Sequence, residues 1–415
     1  MQMTHKMLSQ LFKLTHRQAR NNNKQVIIRE RYQSDPGRGL RTLDEVLRGR
    51  PHRCVNMVRM TASCFNALCD ELGPHIRSSE KFPVREKVAL FLQFAGQALS
   101  ERKLEEDFQR PRSKINETKE CISNAIIQYL YPTYVDNMRL AATVQAVNEK
   151  FKPNEHAFSW PLRQAAIAFD GTFFHQKVAK EQQNAYRDRH HHTSLNTLLC
   201  CTYNQFVTFC YAGSEGSNCD SGVLETVRDD FFNSLSTVIE VHGERVATLF
   251  LGDAIYGLSE RIMTPFRGIR YHLKEWEGKR PENAHEMYNL QHAKLRNVIE
   301  RTIGLLKRRW KILREQSECY IEHHVKHIYA LVALHNFIKV HRGDIEDEYL
   351  EDPAYDNDDD GLDLEDVQDQ INMRAAGVST AALYQAAVSK RESLAQEIWN
   401  IYRQLRAAQG DPLPP

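Results

Sequence analysis

The sequence predicts an α/β (α+β) fold in which helices surround a central mixed sheet. Three short apolar runs have the length and composition of buried strands: AAIAFD (165–170), NTLLCCTYNQFVTFCYAG (196–213) and VATLFLGD (246–253). The second run is long enough for two strands, which we expect to form a hairpin with its turn at Asn204-Gln205. The segments before and after these runs have helical spacing, so the strands are expected to form one sheet covered by helices.

Composition divides the 415 residues into five segments. We expect no membrane association, because no apolar run approaches the ~18 residues of a membrane span. Nine cysteines without a CxxC pair are expected to be reduced core residues. The predicted segments are a basic N-terminal arm (1–60), a helical domain (61–135), the sheet-containing domain (160–340), an acidic disordered linker (344–369) and a C-terminal helical segment (375–408).

The charges are distributed unevenly along the chain. Between Asp344 and Asp369 lie 14 of the 54 acidic residues, with no Lys or Arg among them. The remaining 40 acids face 55 Lys and Arg residues, so the rest of the chain is basic. A basic body with an acidic tail indicates a polyanionic partner, most simply DNA. A soluble protein with a disordered tail explains the same charge pattern.

Residues 84–130 have the pattern of a helix-turn-helix. Apolar spacing predicts a helix in VREKVALFLQFAG, and Ser100 is placed to cap the short helix that follows. Pro111 then breaks the chain, and Ser113 is placed to cap a longer helix that would expose Arg112 and Lys114. This pattern is typical of DNA-binding helix pairs. Small helical bundles without DNA contacts show it as well.

Three acids stand out in the predicted sheet-containing domain. Asp170 and Asp253 are expected at or just beyond the carboxyl ends of two strands, where neighbouring strands bring side chains together. Glu300 is the single acid among eight basic residues between Lys294 and Arg314. Taken singly, each Asp is a common turn former and Glu300 is an ordinary i,i+4 salt-bridge residue. Taken together, the three carboxylates predict a metal site.

The predicted helix around Glu300 has one buried stripe. Glu300 falls beside this stripe rather than opposite it, and Gly304 shares its face, as if another group must approach closely. Three carboxylates suit two hard cations, Mg²⁺ or Mn²⁺, which activate phosphodiester cleavage when ~3.5–4 Å apart. The stripe consists of Leu295, Ile299, Thr302, Leu306, Trp310 and Leu313.

Several ordered motifs resemble those of PIF/Harbinger-type DDE transposases and their domesticated relatives. These motifs are DGTFF, YAGSEGSNCDSGVL, LGDAIYGLSERIMTPFRG, HAKLRNVIERTIGLLKRRWKIL and LHNFI, and the N-terminal helices also resemble that family. The resemblance implies an RNase H-like catalytic domain in which Asp170, Asp253 and Glu300 bind the metal ions. It also implies DNA cleavage by water, followed by attack of the 3′-hydroxyl on target DNA.

The resemblance extends these expectations to partners and to a fourth acid. It implies a nuclear homo-oligomer that often requires a separate Myb-like DNA-binding protein. Asp220 matches another family position and is either a further metal ligand or the N-cap of the next helix. A domesticated, non-cleaving nuclear factor and a cellular repair nuclease are the alternatives. The candidates for DNA contact are Arg112, Lys114, Arg296, Arg301, Lys307, Arg308 and Arg309.

Overall fold

The computed structural model describes residues 33–152, 160–277, 279–341 and 381–410. The predicted acidic linker (344–369), the first part of the predicted basic arm (1–32) and the start of the C-terminal segment (375–380) lie outside these residues. All nine cysteines are free thiols, as predicted, and six of them are buried, but the prediction of a core position is wrong for the exposed Cys219. Among the described residues, no helix has the length and apolarity required to cross a membrane.

Six α-helices lie between residues 33 and 125, where the described part of the chain begins. The prediction of an arm up to residue 60 is wrong for residues 38–58, because two helices there bury Leu43 and Val58 in the core. The many arginines of this segment hid that apolar spacing. The helices are α1 (Arg38–Arg48), α2 (Pro51–Val58), α3 (Ala62–Leu72), α4 (Val84–Gln97), α5 (Glu101–Phe108) and α6 (Arg112–Ala125).

The helix pair α5–α6 has a short connection of three residues. Ser100 caps α5 as predicted, since its hydroxyl accepts a hydrogen bond from the Lys103 N–H at 3.3 Å. Gln109 then adopts the left-handed conformation, and Pro111 is the N-cap residue of α6. The prediction that Ser113 caps α6 is therefore wrong, because the helix begins one residue before it. Two π-helical stretches, Ile126–Leu130 and Pro132–Asn137, follow α6.

One five-stranded mixed sheet forms the centre of the domain. Its strands are β1 (Ala165–His175), β2 (Ser194–Cys201), β3 (Val207–Glu215), β6 (Leu249–Leu251) and β7 (Ile262–Met263), and the separate hairpin β4 (Val238–Val241) and β5 (Glu244–Ala247) precedes β6. The strand order is β3-β2-β1-β6-β7. Strands β1, β2 and β3 are antiparallel, whereas β6 and β7 run parallel to β1. The predicted hairpin is present between β2 and β3, with Gln205 at positive φ in its turn.

Long helices cover the sheet. The helices after the N-terminal group are α7 (Arg139–Lys150), α8 (Gln183–Tyr186), α9 (Asp220–Thr226), α10 (Arg228–Asn233), α11 (Ala284–Arg309), α12 (Ile321–His341) and α13 (Ala381–Ala408). Helix α11 packs on β1 and β2, and the predicted stripe from Leu295 to Leu313 is buried along it and the short turn that follows. Helix α12 packs between β3 and the N-terminal helices, and α13 packs on α11.

Candidate active site

Strand register places Asp170 beside Asp253. The parallel pairing of β1 with β6 ends where Ala168 faces Leu251, and each aspartate follows two residues later. Asp253 lies beyond the end of β6, as predicted. The prediction that Asp170 also ends its strand is wrong, because β1 continues to His175 while paired with β2 alone. Asp253 therefore lies just beyond the end of β6, beside the part of β1 that continues past it.

Two glycines allow the backbone around these acids to be approached closely. A Cβ atom on Gly171 would lie 2.4 Å from Oδ1 of Asp220. A Cβ atom on Gly252 would lie 2.5 Å from the ring of Phe169. Both distances are far below van der Waals contact, so a side chain at either position would displace its neighbour. The Asp-Gly and Gly-Asp motifs therefore have a packing cause.

The guanidinium group of Arg296 joins two of the predicted acids. Its Nη2 donates to Oδ2 of Asp170 at 2.5 Å, and its Nη1 donates to Oε1 of Glu300 at 2.6 Å. Only 7% of the Arg296 side chain is exposed, against 19% for Asp170 and 43% for Glu300. Glu300 thus has the i,i+4 salt bridge expected of a basic helix. Its partner, however, is a buried arginine shared with the strand acid.

Burial and like charges raise the pKa of Asp170 to about 7. Burial is the largest cause, and the positive charge of Arg296 opposes it. The negative charges of Asp253, Asp220 and Glu300 raise the pKa further. The other three carboxylates therefore all act electrostatically on Asp170, although 130 residues separate Asp170 from Glu300. A cluster of this kind is stabilised by positive charge brought into it.

Asp220 is the first residue of α9 and not its N-cap. The N-cap residue is Cys219, and no side-chain cap hydrogen bond forms there. This excludes the capping alternative for Asp220. Its Oδ1 instead accepts a hydrogen bond from Nδ2 of Asn196 on β2 at 2.8 Å. Burial raises the pKa of Asp220, while the Asn196 hydrogen bond and the charge of Arg189 lower it.

A buried histidine fixes α11 against the edge of the sheet. The Nε2–H of His292 donates to the carbonyl of Met263 at 3.1 Å, and the Tyr271 hydroxyl donates to its Nδ1 at 3.1 Å. Burial lowers the pKa of His292 to about 4, so the imidazole is neutral at physiological pH. His292 lies one helical turn before Arg296 and so positions that turn of the helix.

The predicted phosphate contacts on α11 divide into surface and buried residues. Arg301 is exposed, and Lys307 and Arg308 are half-buried. Arg309 is fully buried and lies 3.4 Å from Nδ1 of His335, so the prediction that it contacts phosphate is wrong. In this structure Arg296 is directed at the acids and not at the surface, so the prediction of a surface phosphate contact is wrong for it as well. The run of basic residues in the sequence did not show which of these side chains lie on the surface and which are buried.

One group of potential metal ligands was missed by the sequence interpretation. In the described parts of the chain, His175, Asp188 and His192 are the one group of three His, Cys, Asp or Glu residues whose ligand atoms all lie within 4.8 Å of one another. No three of the predicted acids are that close, and Arg296 lies between Asp170 and Glu300. The histidine run at 190–192 was a visible signal, but His175 and Asp188 become its neighbours only in the folded chain.

Two regions of the chain match known family models. Residues 169–336 match the family model described as DDE superfamily endonuclease. All four predicted acids lie within the matched region. Residues 37–128 match a second family model, described as Domain of unknown function (DUF8040). No curated protein and no solved structure matches the chain. The first match supports a DDE transposase-like nuclease.

Proposed function

We propose that this protein is a divalent-metal-dependent DNA endonuclease of the PIF/Harbinger transposase type. It would cleave phosphodiester bonds with water and then direct the freed 3′-hydroxyl to target DNA. The observation that carries this proposal is the convergence of four carboxylates and one buried arginine within the region matched by the DDE superfamily endonuclease. The sheet order β3-β2-β1-β6-β7, with three antiparallel and two parallel strands, favours an RNase H-like domain.

The donor set fits hard divalent cations. Asp170, Asp253 and Glu300 offer only oxygen ligands, with Asp220 as a fourth, which suits Mg²⁺ or Mn²⁺. Arg296 already supplies a positive charge between Asp170 and Glu300. When bound, divalent ions activate the attacking oxygen of a phosphodiester reaction and stabilise the leaving oxygen. We infer that the four acids hold two such ions.

Arg296 holds two of the acids in a fixed arrangement when no metal ion is bound. Its guanidinium spans Asp170 and Glu300, so it neutralises part of their repulsion and holds β1 and α11 together. An ion bound at Oδ2 of Asp170 or Oε1 of Glu300 would displace the guanidinium from that oxygen. The released guanidinium would then be available to a phosphate oxygen, for which its planar fork is suited.

Basic residues near the acids would hold the DNA backbone. Lys307 lies 5.8 Å from the centre of the Phe174 ring on β1, and Arg189 is close enough to Asp220 to lower its pKa. Arg301 is exposed on α11. We infer that these three cations contact the phosphates on either side of the cleaved bond, because phosphate contacts by Lys and Arg supply most non-specific DNA affinity. A nuclear location, a homo-oligomer and a Myb-like partner are further parts of the proposal.

The deciding experiment is nicking of labelled DNA in Mg²⁺ by the wild type and by Glu300→Gln. The substitution keeps the shape and removes one charge, so we expect nicking to be lost while DNA binding persists. The matched control is Glu315→Gln, because Glu315 is an exposed acid with Lys311 four residues before it at 3.9 Å.

Reactions are run with and without a Myb-like partner and on transposon-end sequences, and melting curves verify folding. Equal nicking by both variants and the wild type would exclude Glu300 as a ligand. Tight DNA binding by a wild type that never nicks, under all these conditions, would favour the non-cleaving alternative.

A further inference from the structure

We propose that His175, Asp188 and His192 form a second metal site, which binds one Zn²⁺-like ion and fixes the loop between β1 and β2. His175 is the last residue of β1 and pairs with Ser194, the first residue of β2. His192 lies two residues before β2, and Asp188 lies within the loop. The three side chains therefore surround the neck of the loop, where its two ends meet.

The distances bring the three residues close to a coordination shell. Their ligand atoms lie within 4.8 Å of one another, and the rings of His175 and His192 meet edge to face at 5.1 Å between centroids. Zinc takes imidazole nitrogen and carboxylate oxygen at ~2.0–2.2 Å, so tetrahedral neighbours are about 3.4 Å apart. Closing the shell therefore needs side-chain movements of about 1 Å, which the exposed His192 side chain permits.

Hydrogen bonds orient two of the ligands before any ion binds. The Ser194 hydroxyl donates to Oδ2 of Asp188 at 2.5 Å, so its oxygen accepts from the Nδ1–H of His175 at 3.0 Å. This arrangement leaves Nε2 of His175 with its lone pair. Oδ1 of Asp188 accepts hydrogen bonds from the backbone N–H groups of His190 and His192, at 2.9 and 3.0 Å. Supporting bonds of this kind are typical around metal ligands.

The donor set selects a different ion from that of the acidic site. Two imidazoles and one carboxylate favour Zn²⁺ and related transition ions over Mg²⁺, which prefers oxygen ligands. Three protein ligands leave one position open, and the exposure of His192 gives solvent access to it. The ion is therefore expected to bind from solution and to keep one water ligand.

An ion bound by these three residues would also affect the arginines of the loop between β1 and β2. The loop carries Arg187 and Arg189, and Arg189 lies near Asp220 of the acidic site. Without the ion, Asp188 already caps the loop through its two backbone contacts. With the ion, both ends of the loop are tied to the same centre. We infer that Zn²⁺ holds these arginines in one arrangement beside the acids.

The test is calorimetric titration of chelator-treated full-length protein with Zn²⁺. We expect one tight site in the wild type, weakened at least about 100-fold in His192→Ala and in His175→Gln, because direct ligands matter more than supporting residues worth 10–100-fold. His190→Ala is the matched control, since His190 is an exposed histidine of the same loop outside the group. It should bind Zn²⁺ like the wild type, and Mg²⁺ should not compete.

Limited trypsin digestion provides a second measurement that does not depend on nuclease activity. Zn²⁺ should slow cleavage after Arg187 in the wild type and in His190→Ala, but not in His192→Ala; cleavage after Arg189 is not compared, because Arg189 contacts His190. If His175→Gln fails to fold, the exposed His192 variant still decides the question. Unchanged Zn²⁺ affinity in His192→Ala, or an equal loss in His190→Ala, would overturn the proposal and leave Asp188 as a simple loop cap.

Discussion

The acidic site and the N-terminal helix pair both contain ion pairs, but their charges lie in different environments. In the acidic site, Arg296 and Asp170 are 7% and 19% exposed. In the helix pair, Lys114 and its partner Glu117 are 54% and 65% exposed. Water screens the second pair, so it contributes less than about 1 kcal/mol and can be exchanged for another partner. The first pair is fixed by burial, and removal of either charge leaves the other poorly solvated.

The largest effect is expected from Asp170→Asn. The substitution removes a proposed ligand at the centre of the acid cluster, so nicking in Mg²⁺ should fall at least about 1,000-fold. Asp253→Asn should cause a similar loss. The double variant should be no worse than either single one, because ligands of one site act as a unit. The measurement is the rate of nicking under single-turnover conditions.

Glu225→Gln is the control for these variants, because Glu225 is an exposed acid on α9, close in sequence to Asp220. Its nicking rate should equal that of the wild type. Independent, additive losses in the double variant would contradict a shared site.

Arg296→Met should have the largest effect on stability. It leaves Asp170 buried among three other acids without its cation, which should destabilise the metal-free protein by about 3 kcal/mol. Mg²⁺ should raise the melting temperature of this variant more than that of the wild type, because the ion supplies the missing charge. Arg301→Met, at an exposed position of the same helix, should stay within about 0.5 kcal/mol of the wild type. Equal losses in both variants would mean that Arg296 is not coupled to the acids.

The sequence indicated which acids lie near one another, but not how they are arranged. Asp170, Asp253 and Glu300 were visible because a short apolar run or a basic helix surrounds each of them. The role of Arg296 was not visible, since a basic helix gives no sign of which arginine turns inward. Arg309 shows the same ambiguity, because its burial against His335 depends on contacts between α11 and α12.

The fold was predictable wherever one period dominated. The hairpin and the buried stripe of α11 have clear periods of 2 and 3.6 residues, respectively. The length of β1 was not predictable, because Gly171 and the residues after it form a strand only through pairing with β2. The helices at 38–58 were missed because arginine composition outweighed a weak apolar pattern. Local sequence patterns therefore predict that a helix or strand is present, whereas tertiary contacts determine where it ends.

An effect of intermediate size is expected from the buried histidine His324, through the pH dependence of stability. Burial lowers the pKa of His324 on α12 to about 4, and its Nδ1 lies 2.7 Å from Oε1 of Gln176. The folded pKa lies below the ordinary value near 6.5, so stability is lost as pH falls through that window. From pH 7 to pH 5, the unfolding free energy of the wild type should fall by about 2 kcal/mol more than that of His324→Gln. Urea unfolding at both pH values measures these free energies. A difference between the two proteins that is the same at pH 7 and pH 5 would contradict the prediction.

The smallest effect is expected in the exposed helix pair, from Arg112→Ala combined with Lys114→Ala. Both side chains lie on the surface of α6, and each already has an acidic partner, Glu105 at 3.4 Å and Glu117 at 2.6 Å. Their removal should change stability by less than about 0.5 kcal/mol.

If α5 and α6 act as a helix-turn-helix, the double variant should nevertheless bind DNA more weakly. Two lost phosphate contacts would reduce the slope of log affinity against log salt by about 2. Lys103→Ala is the matched control, because Lys103 is exposed on α5 and pairs with Asp107 at 2.5 Å. Fluorescence anisotropy across a salt series measures the slopes. A slope unchanged in the double variant would assign this pair to a structural bundle, because exposed cations that leave the salt dependence unaltered contact no phosphate.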